Sequence, residues 1–307
     1  MRWCLLPFLA ASILHAQDDG VFRADARLVV LHATVLDRSG RLVTNLPQTA
    51  FRTYEDGVLQ QLKLFKREDV PVSLGIVIDN SSSMKNKQEK VKAAAKELVA
   101  ASNPQDEVFL VNFNDDVYRD TDFTSDPKKL EEGLAKFNCM GGTAMRDALQ
   151  AGIRYAKAKG KHDKKVIVLV TDGDDNMSEA TLEEVVREAQ QREVLVYAIA
   201  LLSEEERDAA KRARQALDLI ARSTGGSVWY PKDVSEVSDI ALQVAHNIRN
   251  QYILAYTPSN LKLDGGFRQI RLNVNGPGHP TARTRTGYYA TADLGKKPAV
   301  PKPVIKH

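Results

Sequence analysis

Cysteine is nearly absent from this chain, with two thiols in 307 residues. A disulfide-stapled scaffold is thereby excluded, and stability has to come from a buried core, which this length permits. No segment has the apolar length of a membrane-spanning helix. Neither sign of charge dominates: 43 basic and 40 acidic residues are interspersed and leave a net charge of +3. That argues against a nucleic-acid binder, which would concentrate its basic residues. Zinc-ligand spacings of cysteine and histidine are missing too, as are HExxH, a P-loop and paired catalytic carboxylates in a recognisable context. The five histidines beyond residue 16 suggest no Ser-His-Asp arrangement. What is present is ordinary for a globular protein, with 43% hydrophobic and 27% charged residues.

The first residues have the grammar of a secretory signal. Arg2 is a short basic region, residues 5–14 are apolar, and Leu14-His15-Ala16 can end a cleavable leader before Gln17. The expectation is an exported protein, periplasmic or secreted, with residues 1–16 removed. Cys4 would leave with the leader, so Cys139 remains as a small buried apolar side chain without a disulfide partner. His32 is read as a packed or surface side chain.

The stretch around which the chain is organised is residues 74–84, LGIVIDNSSSM. Its apolar run reads as a fully buried strand of a parallel sheet. The run breaks at Asp79, three serine hydroxyls follow, and a helical pattern begins near Met84. Carboxylate and hydroxyl oxygens are thus delivered to the C-terminal end of a strand, where open α/β sheets bind ligands.

Before Pro71 the pattern is all β: a loosely alternating run at 27–37, then 51–54 and 59–65 around the hairpin signal Glu55-Asp56-Gly57. From Pro71 onward strands and amphipathic helices alternate. Strands are expected at 74–78, 107–113, 165–170, 193–200 and 228–230, and helices at 84–102, 128–137, 143–158, 181–191, 203–223 and 234–249. Apolar strands between one-faced helices indicate a doubly wound, mostly parallel α/β sheet with helices on both faces. After Arg249 the β pattern returns at 251–256, 267–274 and 283–289. Neither β piece is large enough to stand alone. The expected organisation is an N-terminal β segment (17–70), an inserted α/β domain (71–250), and a C-terminal β segment (251–291) that pairs with the first into a small β-sandwich. A Pro- and Lys-rich tail (292–307) is expected to be disordered.

Two further loops leave the sheet where Asp79 should lie: Gly141-Gly142-Thr143 before a helix, and Thr171-Asp172-Gly173 after the strand VIVLV. Asp79, Ser81, Ser83, Thr143 and Asp172 offer oxygen alone, which selects a hard cation. A small octahedral Mg²⁺ that keeps waters suits short hydroxyl ligands, with Mn²⁺ or Ca²⁺ as alternatives. Each fragment also has a plainer reading: Asp79, Ser81 and Thr143 as helix caps, Asp172-Gly173 as a turn. Asp172, Asp174, Asn176 and Glu183 echo a calcium loop, but Met177 stands where that loop needs glycine.

Asp79–Ser83 (DNSSS), the Gly-Gly-Thr ending at Thr143 and the TDG around Asp172 resemble the motif set of the von Willebrand factor type A domain, the metal-ion-dependent adhesion site. The resemblance covers about residues 72–250, with all five positions in order. The flanking segments, FRTYEDGVLQQLKLF and QYILAYTPSN, more loosely resemble secreted bacterial proteins of this type, noted mainly in acidobacteria. The resemblance implies that Ser81, Ser83 and Thr143 touch the metal directly, while Asp79 and Asp172 act directly or through water. It also implies an open coordination position for a partner's carboxylate, and a last helix (234–249) that shifts on binding. The function expected is a non-enzymatic, metal-dependent binding module for a protein, matrix or envelope ligand. A metal-dependent hydrolase and a structural envelope protein with an unused metal site are the alternatives.

Overall fold

The computed structural model describes residues 28–67, 69–203 and 207–291. The expected leader, the first residues of the mature chain and the proline-rich tail lie outside them. In chain order the elements are β1 (Val29–Leu36), β2 (Phe51–Glu55), β3 (Val58–Gln60), β4 (Leu62–Lys66), β5 (Val72–Asp79), α1 (Gln88–Ala100), β6 (Glu107–Phe113), β7 (Val117–Thr124), α2 (Pro127–Ala135) and α3 (Met145–Lys159). They continue as β8 (Lys164–Thr171), α4 (Leu182–Arg192), β9 (Val194–Ala200), α5 (Arg207–Thr224), β10 (Val228–Trp229), α6 (Val237–Arg249), β11 (Tyr252–Tyr256), β12 (Phe267–Val274), β13 (Thr281–Arg283) and β14 (Gly287–Tyr289).

The central sheet has six strands in the order β10-β9-β8-β5-β6-β7. All pairings are parallel except that of β7, an antiparallel edge strand. Every residue of β5, β6, β8 and β9 is buried, as continuous apolar runs under helices on both faces require. One apolar layer joins α1, α2 and α6 to the sheet; the other joins α3, α4 and α5. Gly75 in β5 is a packing requirement. A Cβ there would stand 2.3 Å from the Phe109 ring and 2.5 Å from Ile167 Cδ1.

The two flanking β segments do pair. One antiparallel sheet runs β13-β1-β11-β4 and the other β14-β12-β2-β3, so each mixes strands from both ends of the chain. The hairpin between β2 and β3 turns at Asp56 and Gly57, both with positive φ, the geometry that a two-residue right-twisted hairpin needs. Phe51, Tyr252, Leu254 and Ile270 fill the space between the sheets. Tyr256 and Tyr288 donate their hydroxyls to the same buried Glu55 oxygen, at 2.8 and 3.0 Å, which ties strands of both sheets together.

The sandwich sits against the edge of the parallel sheet where β8 and β9 begin. Gln251 donates to Thr34 Oγ1 at 3.0 Å and to Tyr197 Oη at 3.1 Å, linking β1, β9 and the start of β11. Lys164, the first residue of β8, is buried beside this junction and donates to the Ile248 carbonyl. Burial pushes its amine down to about 7, against weaker opposing effects of Asp69 and Asp106. Between pH 7 and the ordinary lysine value the unfolded chain holds a proton here that the folded chain has released. Stability from this group therefore rises with pH across that window, and the cost of burying the charge is complete below it. The advantage of Lys164→Met over the parent in urea-unfolding midpoint is expected to be largest near pH 6.5 and to shrink towards pH 10. A pH-independent difference would show that the amine titrates normally.

Candidate metal centre

The site is built at the point where the strand order reverses. β5 pairs with β8 in the register Ile78↔Val170, so Asp79 and Thr171 close the two strands side by side. Thr171 Oγ1 donates to Asp79 Oδ2 at 2.6 Å, and the Ser81 backbone N–H donates to Asp79 Oδ1 at 2.9 Å. With 2% exposure, Asp79 is pushed up to about 6 by burial, although the bonds from Ser81 and Thr171 pull the other way. The neighbouring Asp172 charge adds to the rise.

From Asp79 the chain turns through a single 3-10 turn, Ser82–Met84, before α1 begins at Gln88, several residues later than the sequence predicts. Ser81 precedes that turn without a side-chain capping bond, and Lys87 stands at the cap of α1. The capping reading of Ser81 is therefore not what the hydroxyl does. Ser81 Oγ lies 3.1 Å from Ser83 Oγ, and Ser83 Oγ donates to Asp172 Oδ1 at 2.8 Å. Asp79, Ser81, Ser83 and Asp172 thus form one connected group. Thr143 caps nothing either, since α3 starts beyond Ala144. Its hydroxyl lies 3.9 Å from where a Gly173 Cβ would stand, beside Asp172.

Backbone bonds hold the three loops together. Ser82 N–H donates to the Gly141 carbonyl at 3.2 Å, and Met140 N–H to the Asn80 carbonyl at 2.9 Å. Asn176 Oδ1 accepts from Thr143 N–H at 2.9 Å, and Asp115 Oδ1 from Gly142 N–H at 2.7 Å. The calcium-loop echo is not realised: Asn176 holds Thr143, and Asp174 pairs with Arg212 at 2.6 Å. Among the described residues no three His, Cys, Asp or Glu side chains converge on one point. The group has two carboxylates, and its other donors are hydroxyls.

Sequence reasoning did not find Thr171, Asp115, Asn176 or Lys87. The Lys87 ammonium is in contact with Asp172 Oδ2, so both oxygens of that carboxylate are engaged. The local charge count is then two carboxylates against one ammonium. Cys139 is half-buried, where the sequence predicts full burial. It packs on the α1 layer, and desolvation followed by the Asp79 charge pushes its thiol up.

An open, mostly parallel sheet with a carboxylate–hydroxyl cluster at its switch point defines an α/β domain whose cluster lies where such sheets bind ligands. The family model of the von Willebrand factor type A domain matches residues 73–243, more than half of the chain, and the protein belongs to that family. Domains of this family are usually non-catalytic protein-binding modules, some of them metal-dependent. No curated protein matches the chain. Among solved structures, a von Willebrand factor type A protein from Catenulispora acidiphila is 13% identical with a TM-score of 0.51, covering 86% of this chain and 75% of that one. An aerotolerance-related membrane protein from Bacteroides fragilis is 19% identical (TM-score 0.46; 57% and 98% covered). Proximal thread matrix protein 1 from the mussel byssus, with a zinc-occupied MIDAS motif, is 17% identical (TM-score 0.46; 63% and 49% covered). At these identities the likeness is one of fold, and the first extends it beyond the family-matched segment.

The Thr171 hydroxyl is the test of this geometry. Thr171→Val removes a donor from a buried carboxylate and is expected to lower unfolding free energy by about 1–3 kcal/mol. Urea denaturation of the metal-free protein measures it, and no change would mean that Asp79 finds its partner elsewhere.

Proposed function

We propose that this protein is an exported binding module that holds a divalent cation, Mg²⁺ or alternatively Mn²⁺ or Ca²⁺, between Asp79, Ser81, Ser83, Thr143 and Asp172. The observation that carries this reading is the connected oxygen group Asp79–Ser81–Ser83–Asp172 at the C-terminal end of β5 and β8, with Thr143 alongside. The donor set fits a hard cation, because it contains oxygen alone and carries more negative charge than Lys87 neutralises. The pressure of burial on Asp79 points the same way, since a nearby cation favours its ionised form.

Bound there, the cation would supply an electrophilic position for a carboxylate oxygen of a protein, matrix or envelope partner. The chain's own residues do the rest. Thr171 and the Ser81 N–H fix the Asp79 carboxylate, and Ser83 fixes Asp172. Asn176 and Asp115 position the loop that carries Thr143. Lys87 competes as a tethered cation for Asp172, so its ammonium has to yield part of that carboxylate when a metal binds.

Asp79→Ala is expected to abolish Mg²⁺ binding with the circular-dichroism spectrum retained; unchanged affinity by calorimetry sinks the assignment. Lys87→Met is expected to tighten Mg²⁺ by about fivefold, the loss of an ion pair worth about 1 kcal/mol. Weaker binding in that variant would make Lys87 a supporter of the site, not a competitor. Capture of a partner from envelope fractions in Mg²⁺, lost in EDTA, tests the function itself.

A further inference from the structure

At the junction of the β-sandwich with the end of α5, a groove of about 540 Å³ is lined by Arg222, Arg271, Arg283 and Arg285, with Asp218 as its acidic member. Arg222, Arg271 and Arg283 are exposed and make no ion pair among the described residues. Arg271 lies over the Tyr54 ring at 4.8 Å, and Arg283 donates to Ser227 Oγ at 3.0 Å. Arg285 is different: at 8% exposure it is buried, and it spends one nitrogen on Glu193 at 2.9 Å. Its Nε and Nη2, together with Thr284 Oγ1, are buried with no hydrogen-bond partner among the described residues. Unpartnered buried donors and gathered guanidinium charge are both costly unless an acceptor of negative charge completes them. Arg285 and Thr284 also line an adjoining cavity of about 250 Å³, so the two residues stand between two open volumes.

We propose that this groove binds an acidic peptide segment, two or more of whose Asp or Glu carboxylates pair with these arginines. Guanidinium forks match planar carboxylates in bidentate fashion. Such forks also take phosphate, but a compact phosphate gains most where free backbone N–H groups at helix N-termini or nests add to them. Here the helix presents its carbonyl end, and the Gly225 and Gly226 N–H groups are both spent on the Ala221 carbonyl. The arginines are spread over α5, β12, β13 and the stretch after β13, which suits an extended ligand better than a single point charge.

The groove lies where the sandwich joins the end of α5 and the start of β10, whereas Asp79 and Asp172 stand at the C-terminal ends of β5 and β8. The two sites can therefore be tested apart. The experiment is calorimetric titration of the full chain in EDTA at low salt with capped tetraglutamate, tetraglutamine and inorganic pyrophosphate. Tetraglutamate is expected to bind, tetraglutamine not, and added salt to weaken the binding. Arg271→Gln/Arg283→Gln, both at exposed positions, is expected to weaken tetraglutamate at least tenfold with an unchanged unfolding midpoint. Asp79→Ala is expected to leave the titration as it was, so loss of the metal reading and loss of this one are separable. No tetraglutamate binding, or equal affinity in the double variant, overturns the proposal. Binding of pyrophosphate alone overturns it in favour of a phosphate ligand.

Discussion

The arrangement of the loops at the end of the parallel sheet depends on one buried charge. Asp79 carries a carboxylate to a place with 2% exposure, and the surrounding architecture makes that tolerable. The parallel register of β5 with β8 brings the Thr171 hydroxyl to one oxygen, and the turn at Ser81 brings a backbone N–H to the other. A slip of that register by one residue would turn Thr171 to the other face and leave the carboxylate short of a partner. The constraint reaches back into the core, since Gly75 lets the Phe109 ring pack against β5 itself. With both oxygens satisfied by protein donors, the Asp79 carboxylate is held in one orientation at the end of β5.

The sandwich is not an appendage of that core. Gln251 bridges β1 to Tyr197 on β9, Arg285 reaches Glu193, and the Thr286 N–H donates to the Ser223 carbonyl at the end of α5. These bonds bridge the two parts at the strand starts, opposite the oxygen cluster. The chain enters the parallel sheet from β4 and leaves it through α6 into β11, so both covalent connections run through the same junction. The inserted domain is thus held by two covalent connections and by buried side-chain bonds.

How much of this the sequence disclosed follows from the physics of each element. The buried parallel strands were legible because strands covered on both faces are apolar throughout, as in residues 74–78 and 166–170. The pairing of the terminal β pieces was legible from their small size. β7, VYRDTDFT, was missed: an antiparallel edge strand needs no continuous apolar run, and its polar residues read as a loop. The start of α1 was misplaced because Ser82–Met84 form a 3-10 turn that local periodicity does not separate from a helix. The five oxygen-bearing positions were legible as a motif with fixed order. The residues that hold them were not, since Thr171, Asp115, Asn176 and Lys87 take their roles from contacts made only on folding, and Lys87 in isolation reads as one more helix-surface lysine. The four arginines of the groove are scattered from 222 to 285 and form no run that a reader of composition would notice.

The two proposed sites make a joint demand on a partner. On the two proposals, a cation-bearing oxygen cluster would recruit a carboxylate to one edge of the sheet, and the arginine groove would recruit carboxylates near the other. β5 has eight residues, so the edges are separated by about 26 Å at roughly 3.3 Å per residue. One acidic side chain cannot serve both, but a partner with carboxylates on a face of that length can. With both sites on one chain, the second contact would form at a raised effective concentration once the first is made. The chemistry of the pair differs in one useful respect. Removal of metal would silence the first site and leave the second, whereas salt would screen the exposed arginines strongly and the buried oxygen cluster much less. A ligand that uses both should therefore respond to chelator and to salt by separable amounts, and a ligand that uses one should respond to a single treatment.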